Sequence, residues 1–124
     1  MRVLLVDDEK ELVATLAERL ALRDIYARWA CTAEDALKAV DECEFDVAVL
    51  DVKIPGMSGL ELKKIMERKC PETRFIFMTG HGSEADFKTG VAEAGLHYYL
   101  VKPVKLEVLV EKMKEVLQNE GEAR

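Results

Sequence analysis

The chain is poor in the residues that build metal and redox centres. Its three cysteines, Cys31, Cys43 and Cys70, include no close pair. That spacing excludes a zinc finger and a redox dithiol, leaving small buried or half-buried thiols as the simplest reading. Two histidines, His81 and His97, cannot make a histidine triad for a metal. Aromatic residues are only 6% of the chain, and Trp29, Phe45, Phe75, Phe77 and Phe87 are spread over separate segments, as packing residues are and a cofactor box is not. No apolar run exceeds strand length, so no membrane-spanning helix is expected. The apolar start Val3–Val6 is cut off by Asp7, Asp8 and Glu9 before it could act as a signal peptide, and a cytoplasmic location is the default expectation. Basic charge is also lacking: 18 Lys and Arg stand against 24 Asp and Glu, a net charge of −6. The densest basic cluster, Lys63, Lys64, Arg68 and Lys69, is interrupted by Glu67 and preceded by Glu61, which reads as a solvated helix face. Direct nucleic-acid binding needs a concentrated basic face and is not expected.

What the chain has is the balance of one soluble domain, with 124 residues, 49% hydrophobic and 34% charged. Four short runs, Arg2–Val6, Asp46–Leu50, Arg74–Met78 and Tyr98–Val101, are nearly continuous in apolar residues. Strands buried on both faces of a parallel sheet read this way. A weaker run, Ile25–Ala30, carries the polar Arg28 and suggests an edge strand. Between and after these runs lie segments of helical periodicity. Their apolar stripes are Leu12, Leu16 and Leu20; Ala33, Ala36, Leu37 and Val40; Leu62, Ile65 and Met66; and, in the last helix, Leu106, Leu109, Val110, Met113, Val116 and Leu117. The segment Ser83–Ala94 is the weakest helix, because Gly90 sits inside it at a cost of up to about 1 kcal/mol. Helix starts are marked by Thr32 with Asp35, Ser58 with Glu61 and Ser83 with Asp86, and Gly95 suits a helix end. The sequence therefore predicts β-α repeated five times: an α/β fold with a five-stranded parallel sheet and helices on both faces. Residues 1–119 make one domain, and residues 120–124 read as a short polar tail.

In such a sheet, ligands bind outside the carboxyl ends of the strands. Those ends carry Asp7 and Asp8, then Asp51, then Thr79 followed by Gly80 and His81, then Lys102 followed by Pro103. Three carboxylates brought to one edge repel one another, and magnesium, which prefers oxygen ligands, is the obvious counter-ion. Calcium is disfavoured because no twelve-residue loop of alternating oxygen ligands is present. An alternative stays open at this level: Asp7 and Asp8 could simply cap the first helix, Asp8 doing so with Glu11.

Four motifs stand in order at these strand ends: LLVDDE (Leu4–Glu9), LDVKIPGMSGLEL (Leu50–Leu62), MTGHG (Met78–Gly82) and YYLVKP (Tyr98–Pro103). Together they resemble the receiver domain of bacterial two-component response regulators over nearly the whole chain. The resemblance implies a doubly wound, flavodoxin-like three-layer architecture. It also implies that Asp51 accepts a phosphoryl group from a sensor histidine kinase or a histidine phosphotransfer protein. Asp7, Asp8, Asp51 and the backbone carbonyl of Lys53 would hold Mg2+. Thr79 would be the switch hydroxyl, Lys102 the phosphoryl-binding lysine, and Tyr99 an aromatic that turns from exposed to buried on activation. Lys53 and His81 would modulate phosphoryl lifetime, and the Lys102–Pro103 bond would be cis; a trans proline opening the last helix is the alternative. The implied output is a changed face, built from the fourth helix, fifth strand and fifth helix, that acts on a downstream protein or a fused output domain, with a phosphorylation-dependent dimer allowed. The chain would be a signalling phosphoacceptor acting only on its own phosphorylation state, not an enzyme for other substrates.

Two rivals fit less well. An aspartate-nucleophile hydrolase usually places a second aspartate two residues after the nucleophile, where Lys53 stands, and inserts a cap for which there is no room. A flavin carrier of the same topology needs a hydroxyl- and Gly-rich phosphate loop after the first strand, where Asp7 and Asp8 would repel the phosphate.

Overall fold

A computed structural model of the chain describes residues 1–80 and 99–122, the last four as backbone only. The expectations for His81, the Ser83–Ala94 helix with Phe87 and Gly90, Gly95, His97 and Tyr98 lie outside the described residues. In chain order the elements are β1 (Arg2–Val6), α1 (Lys10–Ala21), β2 (Tyr26–Ala30), α2 (Ala33–Glu42), β3 (Val47–Asp51), β4 (Lys53–Ile54), β5 (Met57–Ser58), α3 (Gly59–Lys69), β6 (Arg74–Thr79), β7 (Tyr99–Val101) and α4 (Leu106–Glu122).

Five strands form one sheet in the order β2-β1-β3-β6-β7, with every pairing parallel. Side chains alternate along each strand and find a hydrophobic layer on either side. Leu4, Val6, Ala48, Leu50, Phe75 and Phe77 join the core under α2 and α3. Val3, Leu5, Val47, Val49, Ile76 and Met78 join the opposite core, under α1 and α4. Burying one such large side chain contributes about 1.5–3 kcal/mol, which is why the central strands can be apolar throughout. β2 sits at the edge, as Arg28 suggested, and its Tyr26 is exposed.

Helix starts follow the local chemistry. Thr32 accepts a hydrogen bond from the Asp35 N–H at 3.1 Å, and Ser58 accepts one from the Glu61 N–H at 3.1 Å. At the start of α1 the capping position is Glu9, whose side chain makes no capping bond, so neither Asp7 nor Asp8 is the cap of the helix.

Several boundaries differ from expectation. β3 begins and ends one residue later than its apolar run, because the ladder pairs Asp51 with Met78. β6 likewise extends to Thr79, and β2 starts at Tyr26 rather than Ile25. The inward line of α1 is Val13, Leu16, Ala17 and Leu20, while Leu12 is only half-buried at the rim. The last helix continues to Glu122, into the segment expected to be a tail, since no proline stops it. Between β3 and α3, where no strand was expected, β4 and β5 pair as a small antiparallel ribbon. Pro55 and Gly56 make its turn, and the φ of +90° at Gly56 is a conformation that glycine alone adopts without strain.

Candidate functional site

β1, β3, β6 and β7 end along one edge of the sheet, and the polar residues of all four ends meet there. Asp7 directly follows β1, and its N–H is held by the Ala30 carbonyl at 3.1 Å. Asp51 is the last residue of β3. The next residue is held by both of its backbone groups: the Val52 N–H donates to the Met78 carbonyl at 3.0 Å, and the Gly59 N–H donates to the Val52 carbonyl at 2.7 Å. Gly59 lies so close to the Asp51 backbone that a Cβ would overlap its carbonyl oxygen. Lys102 follows β7, its N–H donating to the Thr79 carbonyl at 2.7 Å, and the Lys102–Pro103 peptide is cis.

A small polar depression of about 240 Å³ opens between Asp8, Asp51, Lys53, Thr79, Gly80 and Lys102. Carboxylate oxygens of Asp7, Asp8 and Asp51 all lie within 4.8 Å of one another. Asp7 and Asp51 are buried, while Asp8 faces solvent. Lys102 Nζ contacts all but Asp8: it forms an ion pair with Asp7 Oδ2, lies 3.2 Å from Asp51 Oδ2 and 3.2 Å from Glu9 Oε1. Asp51 Oδ1 accepts the Lys53 N–H at 3.2 Å, and Asp7 Oδ1 accepts the Glu9 N–H at 2.9 Å. Thr79 is buried, and among the described residues its hydroxyl makes only a long contact, 3.5 Å, to the Gly80 carbonyl.

The electrostatics follow from this crowding. Burial pushes the Asp7 carboxyl up to about 6 and the nearby Asp51 charge adds to the rise, against the pull of Lys102 and the Glu9 N–H. Burial alone would lower Lys102, but its contacts with Asp7 and Asp51 outweigh that and raise it above the ordinary lysine value. The ammonium is therefore charged at any working pH. A hard divalent cation fits the opening, because the donor set is all oxygen and the buried Asp7 Oδ2, though beside Lys102, accepts no hydrogen bond of ordinary geometry.

Asp7, Asp8, Asp51, Thr79 and Lys102 are thus brought together, as the order of strand ends led one to expect, and Lys53 lines the same depression. Tyr99 differs from expectation. It is already buried, with its ring 6.2 Å from that of Phe77 at a tilt of 37°. The strand register explains this, since β7 pairs Tyr99 beside Phe77, on the side of the sheet that carries a core. Sequence reasoning passed over Glu9, although it stands in the first motif, because its partner is 93 residues away.

Comparison with known proteins decides the family. A family model described as the response regulator receiver domain matches residues 3–114. The chain belongs to that family. It is 36% identical over 119 residues to the positive alginate biosynthesis regulatory protein of Pseudomonas aeruginosa, covering 93% of this chain and 46% of that protein. The transcriptional regulatory protein CpxR of Escherichia coli K12 is 34% identical over 117 residues, covering 94% of this chain and 49% of CpxR. The receiver chain therefore spans about half the length of these curated relatives. Among solved structures, a CheY-like receiver domain from Methanospirillum hungatei superposes with a TM-score of 0.85 at 28% identity, covering 99% of this chain and 98% of that one. The beryllofluoride-activated NtrC4 receiver domain dimer gives 0.82 at 30% identity, covering 95% and 97%. The fold is accordingly the doubly wound α/β receiver architecture, and its general role is that of a phosphoacceptor switch in signalling. Among the described residues, no helix is long and apolar enough to cross a membrane.

Proposed function

We propose that Asp51 is the phosphoacceptor of this receiver domain and that a phosphohistidine on a sensor kinase or phosphotransfer protein is the donor. The observation that carries the reading is the juxtaposition of Asp51 with two further aspartates and a charged lysine in one open depression. A carboxylate oxygen of Asp51 attacks phosphorus as the phosphorus–nitrogen bond breaks, and the displaced imidazole leaves with the bonding pair. Asp7, Asp8, Asp51 and the Lys53 carbonyl would hold magnesium; when bound, it supplies positive charge against the phosphoryl oxygens. Lys102 supplies a second, fixed charge there, already placed 3.2 Å from Asp51. Gly80 leaves the approach open, since a Cβ there would meet nothing nearer than Lys102 Cδ at 4.0 Å.

Thr79 then reads the result. Its weakly engaged hydroxyl exchanges the Gly80 carbonyl for a phosphoryl oxygen and draws the end of β6 inward. The paired strand β7 carries that movement towards Tyr99 and the last helix. Because Tyr99 is buried here, its part is repacking against Phe77 rather than a swing in from solvent. Lys53 at the rim, and His81, tune the lifetime of the acyl phosphate. In this reading residues 1–119 form the receiver unit, its output goes to a downstream protein or a fused domain, and the location is cytoplasmic. NtrC4, a receiver seen as a dimer when activated, is a precedent for phosphorylation-dependent dimerisation.

The test is incubation with magnesium and acetyl phosphate, followed by intact mass and mapping of the adduct. One phosphoryl group at Asp51 is expected, absent in the nearly isosteric Asp51→Asn, which should retain the fold. Equal labelling of both proteins would refute the assignment.

A further inference from the structure

The Lys102 ammonium has three N–H donors, and among the described residues three carboxylates lie around it. Asp7 is wholly buried, and Asp51 is the acceptor itself. Glu9 differs from both, with a side chain 64% exposed. It spends nothing on the start of α1, because it makes no side-chain capping bond there. Its backbone is anchored independently, by the N–H bond to Asp7 Oδ1 and by a carbonyl that accepts the Leu12 and Val13 N–H groups. The carboxylate can therefore leave Lys102 for water without disturbing the helix or the acidic pair.

The bridge also stands at a boundary. Glu9 and Lys102 line the polar depression over Asp51, and both line a second, mostly apolar groove of about 410 Å³ flanked by Leu12, Leu16, Met78 and Val104. Glu9 thus draws the ammonium towards the rim, while Asp7 and Asp51 draw it inward. A phosphoryl group arriving on Asp51 adds acceptor oxygens inside the depression, and the lysine must drop one partner to meet them. The partner that water can best replace is Glu9.

We propose that Glu9 is a positioning residue that restrains Lys102 while the site is empty and releases it to the phosphoryl group, so that it slows phosphorylation. The inference rests on Asp51 being the phosphoacceptor. It predicts that Glu9→Gln, which keeps the shape and removes the ion pair, is phosphorylated roughly two- to fivefold faster than the parent at saturating magnesium, the factor expected for losing one exposed pair. Glu9→Asp keeps the charge but is too short to reach Lys102, and it should be accelerated to a similar extent.

The experiment follows phosphorylation of the three proteins by acetyl phosphate with rapid quenching and intact mass, and titrates each with beryllofluoride. A residue with a merely structural role would not change beryllofluoride affinity, whereas release of Lys102 tightens it in both variants. Acceleration in Glu9→Gln alone would mean that rim charge repels the anionic donor, and would overturn the positioning role. Unchanged or slower rates in both variants would also overturn it, with the phosphoacceptor reading intact. Failure of the parent to label at Asp51 would instead refute that reading, and this inference with it.

Discussion

A buried carboxylate held near neutrality should leave its mark on stability. Asp7 is fully buried and titrates at about 6 in the folded chain, against an ordinary value of 3.8, chiefly because burial penalises its charge. Between those two values the folded protein binds more protons at this site than the unfolded chain does. Stability must therefore fall as pH rises through the window, and the whole gap is worth roughly 3 kcal/mol. Part of the loss is complete by about pH 5, so the span from about pH 5 to about pH 7.5 retains roughly 1 kcal/mol. Lys102 does not contribute, since its raised value keeps it charged throughout. Replacing Asp7 with Asn removes the titration and keeps the shape. Urea unfolding in the presence of a chelator, followed by far-UV circular dichroism, would measure both proteins at both pH values. The parent should lose about 1 kcal/mol more than Asp7→Asn between them, or roughly half a molar in urea midpoint at unchanged slope. Other groups titrating in the range are common to both proteins and cancel in the difference. In the proposed ligand set magnesium would bind the ionised carboxylate, so adding it should shrink the parent's loss and leave the variant's unchanged. Equal losses without metal would show that Asp7 carries no ionisation penalty and that the burial argument is wrong.

Magnesium should raise the thermal midpoint of the parent by mass action. Asp8→Ala should abolish that increment together with labelling, while its metal-free midpoint stays level or rises, because one member of a repelling cluster has gone; an unchanged magnesium response would remove Asp8 from the ligand set. Gly59→Ala should cost about 1–3 kcal/mol, as overpacking does, because its Cβ overlaps the Asp51 carbonyl oxygen. The same change should slow labelling of Asp51, and a thermal midpoint and labelling rate equal to the parent's would show that the close approach relaxes freely.

The architecture was legible because a parallel sheet imposes a strong local signature. Apolar runs such as Val47–Leu50, covered on both faces, leave little room for another reading, and the hydroxyls of Thr32 and Ser58 mark helix starts independently. Where the reading slipped, the deciding interaction was not local. Asp51 belongs to β3 because Met78 on another strand pairs with it, and no apolarity scale would extend a strand through an aspartate. The β4–β5 ribbon is two residues on each side, too short to carry a periodicity.

The site divides in the same way. Which groups converge was readable, since chain order and the parallel sheet bring every strand's carboxyl end to one edge. How they share charge was not. Strand order brought the Lys102 ammonium to the edge that holds the carboxylates, but which of them it pairs with was set by the fold, which surrounds it with Asp7, Asp51 and Glu9. That difference changes the kind of question the site poses. A lysine waiting free would make phosphorylation a matter of donor encounter alone. A lysine already satisfied must exchange partners, and the exchange cost lies with whichever carboxylate releases it. Asp7 is the harder of the two to release, since with no cation in the lysine's place a buried anion would be left unpaired, whereas water can take up the Glu9 charge in either case. The cost therefore falls on Glu9, the one residue of the three whose charge water can take up, and the rate of the switch becomes sensitive to a side chain that touches neither phosphorus nor the acceptor.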